Sequence, residues 1–215
     1  MGRTALRIAG IAAALVAQPA AASFHLWEVS EVYTNADGSV QFVEFFTTFA
    51  GQEFLLGREL QALTQGVPEM TYTFPSNLPV GLGDSTAGHH FLFASPGFQA
   101  VSGIAPDYEW TGALSFINVG GNDALQLISA DGFILADEIS LASLPTDGTL
   151  SLLGDAVTTA VPTPTNFAGE IGTLPEPGAC ARGAGVLGAL CAVTRSRRAT
   201  ARRAGRARAQ PSRHR

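Results

Sequence analysis

The residues able to do chemistry are few. Within the body of the chain, histidine occurs only at positions 25, 89 and 90. Two of these end the loop Gly83-Asp84-Ser85-Thr86-Ala87-Gly88-His89-His90, which brings a carboxylate and two imidazoles close together in sequence. Such a group could hold a metal ion or move a proton. Adjacent side chains on a strand edge point to opposite faces, however, so His89 and His90 do not converge on one ion. Zinc spacing of the H-E-x-x-H kind is absent as well. A hydrolytic site needs a nucleophile, a base and a group that orients the base. No G-x-S-x-G elbow occurs, and Gly81-Leu82-Gly83 lacks the strand-to-helix setting of a phosphate loop. No catalytic residue, metal ligand or cofactor is assigned, and the chain reads as non-enzymatic. Structural calcium is the alternative, since Asp37, Asp131 and Asp147 could supply oxygens. Each precedes a glycine in an Asp-Gly turn, which explains it without an ion.

Aromatic side chains offer a second kind of chemistry. Tyr108 and Trp110, in Asp107-Tyr108-Glu109-Trp110, are candidate ligand contacts, because rings beside carboxylates can stack on a sugar and bond its hydroxyls. The competing reading packs them back onto the domain. Trp27, Phe42 and Phe45 are expected in the core, and the carboxylates Glu28 and Glu31 at solvent or along the first strand's edge.

The elements that must position these groups read as strands. Thirteen phenylalanines and short apolar runs between turn dipeptides favour β structure. Expected strands cover 24–33, 40–49, 69–74, 91–94, 114–119, 124–128, 133–139 and 149–153. No amphipathic period of helix length occurs. Many short strands with frequent turns predict an all-β sandwich or barrel.

The ends have a different character. Arg3 and Arg7 precede the apolar run Ile8–Val16, and Ala20-Ala21-Ala22-Ser23 offers a small-residue cleavage site. This is the layout of a secretory signal peptide over 1–22, too short to span a membrane. At the other end, Gly178–Thr194 is a weakly apolar run of 17 residues, about 25 Å as a helix. It follows Pro175-Glu176-Pro177 and precedes nine arginines, Arg195, Arg197 and Arg198 first among them. Arginines after an apolar helix stay on the cytoplasmic side of a membrane. A disordered basic tail is the other reading. Both cysteines, Cys180 and Cys191, fall in this segment, so disulfides do not staple the domain.

Between the ends, residues 24–174 carry 17 acidic side chains and one basic one, Arg58, a net charge of −16. Such a surface repels nucleic acid and favours cations or basic partners.

Two resemblances follow. Tripeptide, apolar run and arginines resemble the PEP-CTERM tails processed by exosortases, which implies an exosortase-type sorting enzyme as partner and a transient stay in the inner membrane. The domain resembles the lamin-tail family in Trp27-Glu28-Val29-Ser30-Glu31-Val32-Tyr33, in Gln41-Phe42-Val43-Glu44-Phe45-Phe46 and in Thr71-Tyr72-Thr73-Phe74-Pro75. Val119-Gly120-Gly121-Asn122-Asp123-Ala124-Leu125-Gln126-Leu127 with Asp131-Gly132, and the close Pro162-Thr163-Pro164-Thr165-Asn166, continue the pattern. That family implies an immunoglobulin-like β-sandwich, here over 23–170, with 171–215 as linker, motif, apolar segment and arginine tail. It also implies an exported bacterial surface or matrix protein with a structural or adhesive role, in contact with extracellular polysaccharide or another surface protein. A carbohydrate- or calcium-binding extracellular module is the alternative.

Overall fold

The computed structural model describes residues 24–81, 84–154 and 158–174. The signal segment, Pro175-Glu176-Pro177, Cys180, Cys191 and Arg195, Arg197 and Arg198 lie outside them.

Short strands rich in apolar side chains build two sheets. The first runs β10-β9-β1-β2-β5-β6 and the second β4-β3-β7-β8. The strands are β1 (Glu28–Thr34), β2 (Gln41–Thr47), β3 (Arg58–Thr64), β4 (Val67–Thr73), β5 (His89–Ala94), β6 (Tyr108–Glu109), β7 (Ala124–Ser129), β8 (Leu135–Ser140), β9 (Ser151–Leu153) and β10 (Thr158–Ala160). One short helix, α1 (Phe98–Ser102), lies between β5 and β6. All strand pairings are antiparallel except β5 with β6.

The main core lies between the sheets. Val32, Val43, Phe45, Phe91 and Phe93 face Leu60, Ala62, Leu125, Leu127 and Ile139. Period-2 alternation puts every second residue of each strand on this inner side. Phe91 sits at the centre, stacked on Phe45 at 4.5 Å and meeting Trp27 edge-on at 4.7 Å. Trp27 satisfies its indole by donating Nε1–H to the Gln52 carbonyl at 2.7 Å.

Three departures from the sequence reading have physical causes. The expected strand 69–74 appears as β4, but β3 and the tight turn that joins it to β4 are not among the expected elements. That turn, Gln65-Gly66, holds both residues at positive φ, 54° and 74°, the mirror-image turn that two-residue hairpins favour. Asparagine or aspartate normally fills the first position; here Gln65 is steadied by its N–H on Asp123 Oδ2 at 2.8 Å. The expected strand 114–119 is irregular chain. It still buries Phe116 and Ile117, because the Gln41 side chain bonds both the N–H and the carbonyl of Ile117, at 2.9 and 2.6 Å. A side-chain amide thus replaces a neighbouring strand. The third departure is Glu31, which is buried rather than at solvent. A register shift between Val29 and Glu31 accompanies it, and a C-terminal segment covers it.

The three Asp-Gly turns form as expected, with Gly38, Gly132 and Gly148 at φ of 71°, 76° and 77°. Asp37, Asp131 and Asp147 each accept the N–H two residues on, at 3.0, 3.1 and 2.9 Å. The hydroxyls of Ser39, Ser129 and Thr149, which bond the same carboxyls, and after them these N–H groups, hold all three below the usual range.

Candidate functional site

The outer face of the six-stranded sheet carries the densest polar chemistry in the described chain. Half of this face is apolar: Tyr33, Phe42, Leu92 and Ala94 form a second cluster under Phe98 of α1 and Ile104, with Leu174 packed against it. The other half holds Glu31 from β1, Glu44 from β2 and His90 from β5. Glu31 and Glu44 are direct cross-strand partners, so their side chains share one face. Two like charges side by side are unfavourable unless something compensates them.

The compensation comes from segment 161–174. Pro162 and Pro164 are buried and, having no N–H, leave Thr163 and Thr165 as the donors of this stretch. Proline also restrains the residue before it to extended conformations. Thr163 N–H donates to Glu31 Oε1 at 3.2 Å, and Thr165 N–H to Glu44 Oε2. The Ser151 hydroxyl donates to Glu31, and the Ser30 hydroxyl to Glu44 at 2.8 Å. His90 Nδ1 lies 2.8 Å from Glu44 Oε1. Burial pushes the Glu31 carboxyl up to about 7, with the Glu44 charge acting in the same direction; the Ser151 hydroxyl, Thr163 N–H and His90 oppose them.

Beyond Thr165 the segment turns back on itself. Asn166 N–H meets the Glu170 carbonyl at 3.1 Å, and Thr165 bridges to Ile171. Gly172 N–H bonds the Pro164 carbonyl at 2.8 Å, and Thr173 N–H the Ser102 carbonyl at 3.1 Å. Packing therefore continues through Leu174, the residue before Pro175.

Beside this segment opens a groove of about 650 Å³ lined by Asp84, Ser85, His89, Asp107 and Phe167 among others. His89 leans on the Phe167 ring at 4.9 Å and brings Nδ1 to the Phe167 carbonyl at 3.2 Å. A carbonyl only accepts, so Nδ1 donates there, and in the neutral ring Nε2 is left as an acceptor. Asp107 Oδ2 accepts the N–H groups of Leu92 and Phe167, at 2.8 and 2.9 Å; burial raises its carboxyl all the same. The groove thus offers acceptors beside an aromatic wall, chemistry suited to a ligand rich in hydroxyl or amine donors.

The sequence-read residues are distributed differently from this. Asp84 and His89 share the groove, while His90 turns to Glu44. Tyr108 is only 5% exposed, its ring packed on Phe74 at 4.8 Å and its hydroxyl donated to the Ser76 carbonyl at 2.9 Å. It offers no open ring face to a sugar. Trp110 is half-buried against Phe116 at 5.1 Å and donates Nε1–H to the Leu114 carbonyl at 2.7 Å. Tyr108 and Trp110 both give their polar hydrogens to the protein's own backbone. Among the described residues, no group of three or more His, Cys, Asp or Glu side chains is arranged to hold a metal ion.

Comparison with protein-family models, curated proteins and solved structures gives no match. Sequence reasoning missed the Glu31–Glu44 pair because Glu44, between Val43 and Phe45, looks like an ordinary solvent-facing position. The signal available was Pro162-Thr163-Pro164-Thr165, whose spaced N–H groups need acceptors that no strand partner supplies.

Proposed function

We propose that the chain is an exported, non-enzymatic surface or matrix protein whose acidic sandwich is carried outward by the N-terminal signal and sorted through its C-terminal tail. The observation that carries this reading is the way the fold ends. The last described stretch is fixed to the sheet through Glu31, Glu44, Ser102 and the second apolar cluster. Pro175-Glu176-Pro177 begins at the next residue. A tripeptide that follows the folded body directly in sequence, ahead of an apolar run and arginines, supports one cut that separates the sandwich from the membrane-directed tail. The polar groups inside the sandwich fit a structural role: among the described residues, every buried side-chain nitrogen and oxygen has a hydrogen-bond partner.

Within this proposal the domain is an immunoglobulin-like sandwich of the lamin-tail kind, supported by the two facing sheets and by the motifs in strands β1, β2 and β4. An exosortase-type enzyme is the processing partner. Extracellular polysaccharide or a neighbouring surface protein is the contact, with the acceptor-rich groove beside His89 and Phe167 as the surface on offer.

Replacing Pro175-Glu176-Pro177 by three alanines in the native host tests the sorting step. Fractionation should show the variant retained, uncut, with the inner membrane while the natural chain reaches the outer surface or medium. Identical distribution and size of the two would contradict the proposal.

A further inference from the structure

We propose that Glu31 and Glu44 form a protonation-gated latch that holds segment 163–174 on the sheet and sets how readily the chain around Leu174 can be drawn out straight. This deepens the tail-processing proposal, on which only its physiological consequence rests.

The geometry is that of a clasp. Two adjacent carboxylates on neighbouring strands receive two backbone N–H groups spaced two residues apart, from Thr163 and Thr165. The clasped segment then runs back along itself to Thr173 and Leu174, which meet the Ser102 carbonyl and the second apolar cluster. A processing enzyme that takes an extended peptide around Pro175 needs those last residues off the sheet. Lifting the segment exposes Glu31 and Glu44 to water.

The titratable groups facing Glu31 are Glu44 from β2 and His90 from β5. Among the described residues it meets the Ser151 hydroxyl from β9 and the Thr163 N–H from the segment itself. Among the described residues the one arginine, Arg58, lies elsewhere, over the Phe24 ring, 4.4 Å from its centre. An ionised Glu31 beneath the segment therefore faces the Glu44 carboxylate in a poorly hydrated space, whereas a neutral Glu31 does not repel it.

The sign of the pH effect follows from linkage. While covered, the Glu31 carboxyl titrates at about 7 against an ordinary value of 4.5. Once uncovered, it regains water and returns toward the ordinary value. The closed state binds the proton more tightly, so closure is fully favoured below the ordinary value and weakens as pH rises through 7.

Amide hydrogen exchange on the full-length chain, referenced to intrinsic rates, reads the latch directly. Protection at Thr163 and Thr165 should fall roughly tenfold or more between pH 5.5 and pH 8, while protection at Phe45 and Phe91 changes little. Glu31→Gln, a permanently neutral replacement, should hold protection at Thr163 and Thr165 constant within about twofold over that range. The same fall in Glu31→Gln, no fall in the natural chain, or an equal fall at Phe45 and Phe91 would each overturn the latch. If Glu31→Gln does not fold, Glu44→Gln serves instead. Removing the facing charge should shrink the fall, and an unchanged or larger fall would count against the proposal. Exchange is read on uncut protein, so its failure leaves the sorting proposal standing, and failure of sorting leaves the latch measurable.

Discussion

Phe91→Ala is expected to lower the free energy of unfolding by about 4 kcal/mol, because it empties the centre of the main core and not its margin. The Phe91 ring is fully buried, stacked on Phe45 and edge-on to Trp27, with Phe74 and Tyr108 at 5.9 and 6.0 Å. Truncation removes the transfer energy of the ring and leaves a void that these four aromatics, each fixed by its own neighbours, cannot all move to fill. Trp27 borders the void, so its fluorescence should follow urea unfolding in the variant. Phe133→Ala provides the contrast. That ring is 87% exposed, and its loss should change stability by no more than about 0.5 kcal/mol. Equal effects from the two substitutions would show that the sheets do not pack as described.

Gly154→Ala should cost roughly 3 kcal/mol, through overpacking against backbone rather than a void. Gly154 follows β9 and donates its N–H to the Ser30 carbonyl at 3.0 Å. An added Cβ would lie 1.7 Å from the Val29 carbonyl oxygen, at the register shift in β1. Backbone cannot swing aside as a side chain would, so β9 has to separate from β1. Because Ser151 on β9 also bonds Glu31, the same substitution should loosen the C-terminal segment. Gly120→Ala separates crowding from backbone strain. Gly120 has φ 76° and nothing within 4 Å of an added Cβ, so alanine there pays only the left-handed conformation, about 1 kcal/mol. Thermal unfolding of the two variants side by side checks the difference. A Gly154→Ala midpoint as high as that of Gly120→Ala would remove the close approach from the account.

How much of this could be read in the sequence depends on whether the cause was local. Asp37-Gly38, Asp131-Gly132 and Asp147-Gly148 carry their turn chemistry in the dipeptide itself, and all three turns stand where they were expected. The apolar run Phe42–Phe46 likewise announces a strand, but not its inner face, since Phe42 and Phe45 lie on opposite sides of the sheet. The hairpin at Gln65-Gly66 was not legible, because the partner that steadies Gln65 is Asp123, far along the chain. The stretch around Phe116 and Ile117 has strand-like residues but no strand, because a single glutamine, Gln41, takes both backbone groups of Ile117.

The site shows the same division. Asp84 and His89 line one groove, although their spacing in sequence was read as a solvated loop and given no ligand. Tyr108 was singled out from its type, but its position at the start of β6 turns it into the aromatic core. Glu44 was passed over, and Glu31 was expected at solvent or along the strand edge, because each, by alternation, belongs on the outer face. That face is outer only until residues 161–174 cover it. Reading their role needs the sheet and the covering segment together, and no local pattern encodes that encounter.

The central claim is that this chain leaves the cell and is cut at the margin of its sandwich. Intact-mass measurement of the protein recovered from the cell surface or medium of the native host tests it most directly. The mass expected is that of a chain beginning near Ser23 or Phe24 and ending at about Glu176, with all nine terminal arginines gone. A recovered chain that still carries Arg215 would contradict it.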